Sequence, residues 1–458
     1  MSTLIAVSGL GVICLLLEIL NLRKALIPVV LLGLVGILGL TITEFYLGHS
    51  FIDSDRYNMI VSTPYAKGFS ILFIVLTIFI ILMSPQFYKE KAEKLADYIA
   101  LKIFLLAGAV AMVSFGNLAM FFIGIEVLSI AGYVLAASSP RNLKSNEAGM
   151  KYFIMGAFAS SFILLGIALV YGAVGSFDTS IITSSSNLPF WFNVGFLMIT
   201  VGLLFKASVA PFHFWAPDVY EGSPALVTAL MSTLVKVAAI AALAKIVMIM
   251  MVGMTPSYQI VIIILSILSM TIGNITALRQ KNIKRMMAYS GISHAGFMIM
   301  DLLSNGGPGN GVLYYAAAYS LAGIAAFAVI ISVCAGKDNE DISNFYGLAK
   351  RQPVLAFALA GALLSLGGIP IFAGFFAKFF IFNEMLKAGN LTLVIFGIIN
   401  SIIAIYYYFG VVNVMFTKES VTKEPLRIEP EYKVVAVAAI VLNILLGVFP
   451  SIIMGLKL

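Results

Sequence analysis

Long apolar runs, broken by short clusters of charged, Gly, Pro and Asn residues, follow one another along the chain. A membrane-spanning helix needs about 20 apolar residues. The breaks divide the 458 residues into about fourteen such spans, near 4–22, 25–46, 66–84, 96–115, 117–138, 148–174, 190–216, 224–252, 257–278, 283–304, 310–336, 353–387, 390–416 and 433–455. One helix over 96–138 would be about 64 Å long at 1.5 Å per residue, twice the hydrocarbon thickness. Gly116-Asn117 therefore reads as a turn between the fourth and fifth spans. The pattern predicts an all-α polytopic membrane protein.

Composition agrees. The chain is 61% hydrophobic and 11% charged, with a mean hydropathy of +1.04, which excludes a soluble globular domain. Only Met1-Ser2-Thr3 precedes the first span, with no basic segment and no small-residue cleavage site, so 4–22 reads as a retained helix. Cys14 and Cys334 lie far apart inside apolar runs and read as packing residues. No Cys/His spacing suggests a metal, haem or iron–sulfur site, so no redox cofactor is expected in this chain.

The net charge of +7 is explained by its distribution. Loops after spans 1, 3, 5, 9, 11 and 13 carry nineteen of the 28 Lys and Arg, whereas the opposite side carries Arg56, Lys67, Lys387 and Lys457. The positive-inside rule places the basic loops in the cytoplasm and both termini outside. The RQKNIKR run then reads as a short cytoplasmic loop, not a nucleic-acid patch. The loop between spans 7 and 8 departs from this bias, with Asp218 and Glu221 but no Lys or Arg.

Charges inside the spans carry the functional signal. Glu126, Lys206, Lys236 and Lys378 each sit near the middle of an apolar stretch. An ionised group at the bilayer centre costs about 2.5–3.5 kcal/mol on insertion scales, so four of them on four helices point to a polar pathway for a small cation, most simply a proton. Spans 7 and 12 also contain a deep proline each, Pro211 and Pro370, beside Lys206 and Lys378. Proline removes a donor and clashes with the carbonyl four residues earlier, here Ala207 and Leu366. Such breaks are tolerated at membrane depth only where they are buried in protein or line a wet cavity.

The two breaks are five spans apart, and span 5 with Glu126 has span 10 with His294 as its counterpart. This predicts two inverted five-helix repeats and two broken helices, a transporter architecture. The expected organisation is helices 1–3 in 1–95, a first repeat in 96–252, a second in 253–417, and a C-terminal loop and helix in 418–458. If Glu126 faces Lys206, opening and closing that contact would switch the lysine between holding and releasing a proton, because burial opposes the charge and a carboxylate favours it. Lys236 and Lys378 would be further stations. His294 would be a relay, since an imidazole titrates near neutrality, and His213 would line an entry path. Lys245 reads as a snorkelling lysine, Glu18 and Glu44 as interfacial groups, and Tyr406-Tyr407-Tyr408 as interfacial or packing surface. The GGPGNG run at 306–311 reads as an outer turn.

Several segments resemble the N-type antiporter-like subunits of bacterial NADH–quinone oxidoreductase, respiratory complex I. They are GIEVLSIAGYVLA around Glu126, LLFKASVAPFHFWAPDVYEGSP around Lys206, LVKVAA around Lys236, GNITALRQKNIKRMMAYSGISHAGFM to His294, and GGIPIFAGFFAKFFIF with Lys378. PDVYEGSP carries the likeness to the N type. The resemblance implies that Glu126 and Lys206 form a charge-coupling pair, that Lys236 is a connecting lysine and that Lys378 lies near the exit. It further implies a complex of the bacterial inner membrane in which NAD, FMN, iron–sulfur clusters and quinone belong to other chains. This chain would neighbour a sister antiporter-like subunit and a small multi-span subunit.

Two other functions fit the residues taken alone: a cation/proton antiporter of another complex, and a structural scaffold whose buried charges fix helix packing. The scaffold predicts that neutralising Lys206 or Lys378 leaves pumping intact. The antiporter predicts sodium-dependent transport without redox partners.

Overall fold

The computed structural model describes residues 1–52, 57–250, 256–305, 307–337, 339–420, 426 and 428–457. Arg56, the 252/253 boundary and Gly306 of the 306–311 run lie outside the described residues. The helices are α1 (Ser2–Ile19), α2 (Arg23–Leu47), α3 (Pro64–Phe87), α4 (Leu95–Ser114), α5 (Leu118–Ala136), α6 (Leu143–Val174), α7 (Thr179–Ser184), α8 (Phe190–Lys206), α9 (Trp215–Gly222), α10 (Ala225–Leu230) and α11 (Lys236–Ile249). There follow α12 (Pro256–Ala277), α13 (Ile283–Met300), α14 (Asn310–Cys334), α15 (Leu348–Arg351), α16 (Pro353–Gly367), α17 (Ala373–Lys387), α18 (Leu391–Thr417), α19 (Pro430–Val448) and α20 (Ser451–Met454). A π turn at Met231–Val235 joins α10 to α11.

Each apolar run of the sequence corresponds to a helix or a pair of helices. Among the described residues eleven helices, counting α10–α11 as one, are long and apolar enough to cross a membrane, and α8 and α16 are shorter apolar helices. With the 18-residue α13, this makes fourteen spans. Polar caps mark their starts. Thr63 caps α3, Asn117 caps α5, Asn142 caps α6 and Asn282 caps α13, each accepting a backbone N–H of the first turn. Gly116-Asn117 is the expected turn, and a Cβ at Gly116 would meet the Asn58 carbonyl at 2.4 Å.

The chain forms two compact units. The first comprises Met1–Ala207, Leu234–Ile260 and Lys457–Leu458. Here glycines bring helix backbones together, as small residues do in membranes. A Cβ at Gly108 of α4 would stand 2.5 Å from the Leu128 nitrogen of α5, and one at Gly166 of α6 would stand 2.7 Å from the Gly195 carbonyl of α8. Glu44, read from the sequence as interfacial, is instead buried at 1% exposure and accepts bonds from Ser2 Oγ and the Phe51 nitrogen. Lys67 donates to the Glu44 carbonyl at 2.8 Å.

The second unit comprises Ser208–Thr233 and Val261–Leu456. Its centre is α14, whose apolar stretch is wholly buried and which packs on α19, α16 and α17. The loop that departed from the charge bias is explained here. Arg285 Nη1 donates to Asp218 Oδ1 at 2.8 Å and to Glu221 Oε2 at 3.0 Å, while Lys284 donates to the Ser223 carbonyl and pairs with Glu340. The two acids are thus countered by a basic loop distant in sequence.

A small motif occurs in both units. In the first, Asn117 caps α5 and bridges to Asp178 after α6; in the second, Asn282 caps α13 and bridges to Asp341 after α14. The glycine approaches match as well. Gly108 of α4 sits against Gly124 and Leu128 of α5, and Gly273 of α12 sits against Tyr289 and Ser293 of α13.

The Gly108 approach yields a stability prediction. Gly108→Ala must push α4 off α5 and should cost about 1–3 kcal/mol. Gly172→Ala, where a Cβ would meet nothing within 4 Å, should cost nothing. Thermal unfolding in detergent measures both, and equal midpoints would contradict the packing.

Candidate functional site

In the first unit, Glu126, Ser129 and Tyr133 follow one another on α5 at spacings of three and four, so they share a face. Lys206 is the last residue of α8 and is 9% exposed. Its Nζ donates to Ser129 Oγ at 2.8 Å. Glu126 is close enough to act electrostatically on Lys206, yet the group the ammonium holds is the hydroxyl. Glu126 Oε1 is buried without a hydrogen-bond partner. The expected pair is therefore present as two neighbouring groups, with the lysine bonded to Ser129. A buried ammonium and a buried carboxylate are both costly when poorly compensated, so a small side-chain movement that closes the pair changes the energy of a proton on Lys206.

Lys236 is the first residue of α11 and is buried, directly after the π turn. Such turns inside helices recur at functional sites. Lys245, nine residues later, has a different role. It does not snorkel: its Nζ donates to the carbonyls of Val113 (2.8 Å) and Phe115 (2.6 Å) and lies 4.3 Å from the Phe115 ring centre. A cation there satisfies the free carbonyls at the C-terminal end of α4.

In the second unit the broken helix is built from particular residues. α16 ends at Gly367, Gly368 follows with φ +89°, and Ile371 has φ +85°, an unusual value for a β-branched residue. Lys378 of α17 donates to the carbonyls of Leu366 (3.2 Å) and Gly367 (2.9 Å). Leu366 is the residue whose carbonyl Pro370 disturbs, so the lysine takes up what the proline releases. Asn443 of α19 fastens the same break, accepting from Ser365 Oγ and the Ala373 nitrogen and donating to the Ala318 carbonyl. The sequence break at Pro211 is likewise a real one. Ser208 has φ +57°, and the Ala210 nitrogen donates to Ser269 Oγ at 2.8 Å. His213, buried at 5% exposure, lies in the turn between this break and α9.

His294 of α13 is the centre of a hydroxyl network. Its Nδ1 bonds Tyr315 Oη at 2.8 Å, its Nε2 bonds Tyr408 Oη at 3.2 Å, and Tyr408 bonds Ser290. A neutral imidazole donates through one nitrogen and accepts through the other, so moving its proton reverses the direction of this chain. A cavity of about 10 Å³, the size of one water, lies between His294 and the Ser365–Leu366 end of α16 that Lys378 caps. Thus His294 and the helix end that Lys378 caps both border this one small cavity. The tyrosine run divides: Tyr406 is 76% exposed, while Tyr407 and Tyr408 are buried and bonded.

A family model described as "NADH:quinone oxidoreductase/Mrp antiporter, TM" matches residues 116–404. The subunit N of NADH-quinone oxidoreductase from Flavobacterium johnsoniae is 55% identical, with 100% of each chain covered. The subunit N of Flavobacterium psychrophilum is 51% identical over 100% of each. The chain belongs to this family, in its subunit N branch. The fold is similar to a chain of respiratory complex I from Thermus thermophilus with bound aureothin, at a TM-score of 0.85 and 30% identity, covering 99% of this chain and 98% of that one.

Some site residues were not singled out in the sequence. Ser129 and Ser365 look like ordinary small polar residues of apolar helices, and Asn443 stands alone in its run. Tyr315 carries no signal beyond its type, and Tyr408 is read only as one of the Tyr406-Tyr407-Tyr408 run. The available signal was the repeat register. The matched pairs Gly108/Gly273, Asn117/Asn282 and Leu128/Ser293 are all 165 apart in number, which sets His294 level with Ser129, not with Glu126.

Lys245→Met tests the division of roles. It should lower thermal stability by about 1–3 kcal/mol through the unpaired carbonyls left on α4, while transport per assembled complex stays at the wild-type level. Transport lost at unchanged stability would contradict the capping assignment.

Proposed function

We propose that this chain is a proton-translocating subunit of an NADH–quinone oxidoreductase, moving protons through Glu126, Lys206, Lys236, His294 and Lys378 while electrons pass through other chains. The observation that carries this reading is how the lysines at the two broken helices are held. Lys206 is held by a hydroxyl and Lys378 by two carbonyls. A scaffold built on ion pairs would hold each with a carboxylate, and among the described residues neither forms an ion pair. Hydroxyl and carbonyl partners leave an amine free to lose its proton without breaking an ion pair.

In this reading Glu126 biases Lys206. When the carboxylate approaches, the ammonium is favoured; when it withdraws, the proton moves on. His294 with Tyr315 and Tyr408 relays protons toward Lys378, which delivers them near the outer face. NADH, flavin, iron–sulfur centres and quinone are assigned to partner subunits. The neighbours would be a sister antiporter-like subunit and a small multi-span subunit, in a bacterial plasma membrane. The basic loops face the cytoplasm and both termini face outward. The two repeats, over 96–252 and 253–417, are supported by the paired Asn–Asp bridges and the matched glycine approaches.

The test is Lys206→Ala in the assembled complex. Proton delivery into vesicles should fall by at least about tenfold, since a positioned proton-transfer group contributes about 10²–10⁴-fold to a rate. Wild-type pumping at wild-type NADH–quinone turnover would return Lys206 to a structural role.

A further inference from the structure

Lys102 is the one fully buried lysine of α4 that the scheme above does not use. It is 0% exposed. Its Nζ donates to Ser84 Oγ of α3 at 2.8 Å and lies 4.5 Å from the centre of the Tyr88 ring. Ser84 in turn spends its own proton on the Ile80 carbonyl at 2.7 Å. Among the described residues it forms no ion pair. As a pin between α3 and α4 this is a costly choice, because a buried ammonium with one hydroxyl partner is far from satisfied.

Polar groups lead from Lys102 to the basic loop. The Tyr88 ring lies against Tyr98, with centres 4.5 Å apart. The Tyr98 hydroxyl donates to the Ser138 carbonyl at 3.0 Å, and Lys91 reaches the same carbonyl at 3.2 Å and Ser139 Oγ at 3.0 Å. Tyr88 Oη and Ser138 Oγ are both buried without a hydrogen-bond partner, and Ser138 neighbours the Tyr88 hydroxyl. Lys91 lies in the partly exposed turn Lys89–Lys94, between α3 and α4. Burial and the neighbouring Lys94 hold its amine below the ordinary lysine range.

Along the axis of α4, the level of Lys206 lies in the other direction. Gly108 of α4 is level with Leu128 of α5, next to Ser129, which holds Lys206. Lys102 is six residues before Gly108, hence about 9 Å nearer the basic loop.

We propose that Lys102 is a proton-binding station between the basic-loop face and Lys206, loaded through the Tyr88, Tyr98 and Ser138 end of α3, α4 and α5. The assignment rests on the proton-translocation reading. A hydronium ion at the loop face breaks one O–H bond and becomes water, and its proton, passed inward, forms an N–H bond on the amine lone pair of Lys102. That bond breaks when the proton leaves for the neutral amine of Lys206, and Lys102 returns to its starting state.

The experiment uses the assembled complex in vesicles, with two variants of opposite fixed charge. Lys102→Gln keeps a donor to Ser84 but cannot take a proton; Lys102→Arg keeps the cation but cannot release one at neutral pH. Both should lose proton delivery by about tenfold or more, with Lys102→Arg near wild type in thermal stability. A structural cation would let Lys102→Arg pump normally, and that result overturns the proposal. Ser84→Ala, a smaller change, covers the case in which neither variant assembles: proton delivery should fall several-fold, and wild-type delivery overturns the proposal. Lys206→Ala in the same vesicles separates the two levels. If it pumps normally, the translocation reading itself fails; if it alone loses pumping, only the Lys102 assignment fails.

Discussion

Backbone polar groups at membrane depth have no water to turn to, and this constraint organises the molecule. A continuous helix satisfies them internally; a broken one leaves carbonyls that something must take up. At one break, and at the end of one continuous helix, that something is a lysine. Lys378 takes the Leu366 and Gly367 carbonyls at one break, and Lys245 takes Val113 and Phe115 where α4 ends. The exchange works both ways, because the carbonyls also make a buried amine tolerable without a carboxylate. Lysine can then stay inside the membrane in either protonation state, which an ion pair would not permit.

The supporting structure holds these ends still. Asn443, Ser365 and the close approach of Gly447 to the Ile371 carbonyl hold the second break in a backbone conformation that Ile371 would not choose alone. Tight Gly-mediated crossings place α4 on α5 and α6 on α8, and so fix Ser129 for the end of α8.

Much of this was legible in the sequence, for physical reasons. Apolar length sets helix number, so the fourteen spans appear within a few residues of their places. Proline and lysine in one apolar run mark a break, and both breaks exist. What could not be read was partner choice. Nothing in the run around Glu126 says that Lys206 bonds Ser129, and nothing near Lys378 says that it caps the helix Pro370 interrupts. Glu44 and Lys245 look interfacial by position and are buried, because their neighbours in space come from distant segments. Asp218 and Glu221 look misplaced until Arg285, more than sixty residues away, is seen to pair with both. Tyr408 was hidden in a run whose first member faces outward and whose last bonds His294.

The central claim is that the lysines at the two broken helices serve one proton route. A double-mutant cycle on Lys206→Gln and Lys378→Gln, read as proton delivery by the assembled complex, tests it most directly. Residues acting as one unit are non-additive, so the double variant should pump no worse than the more severe single one. Independent losses that multiply in the double variant, or wild-type pumping in both singles, would contradict the account.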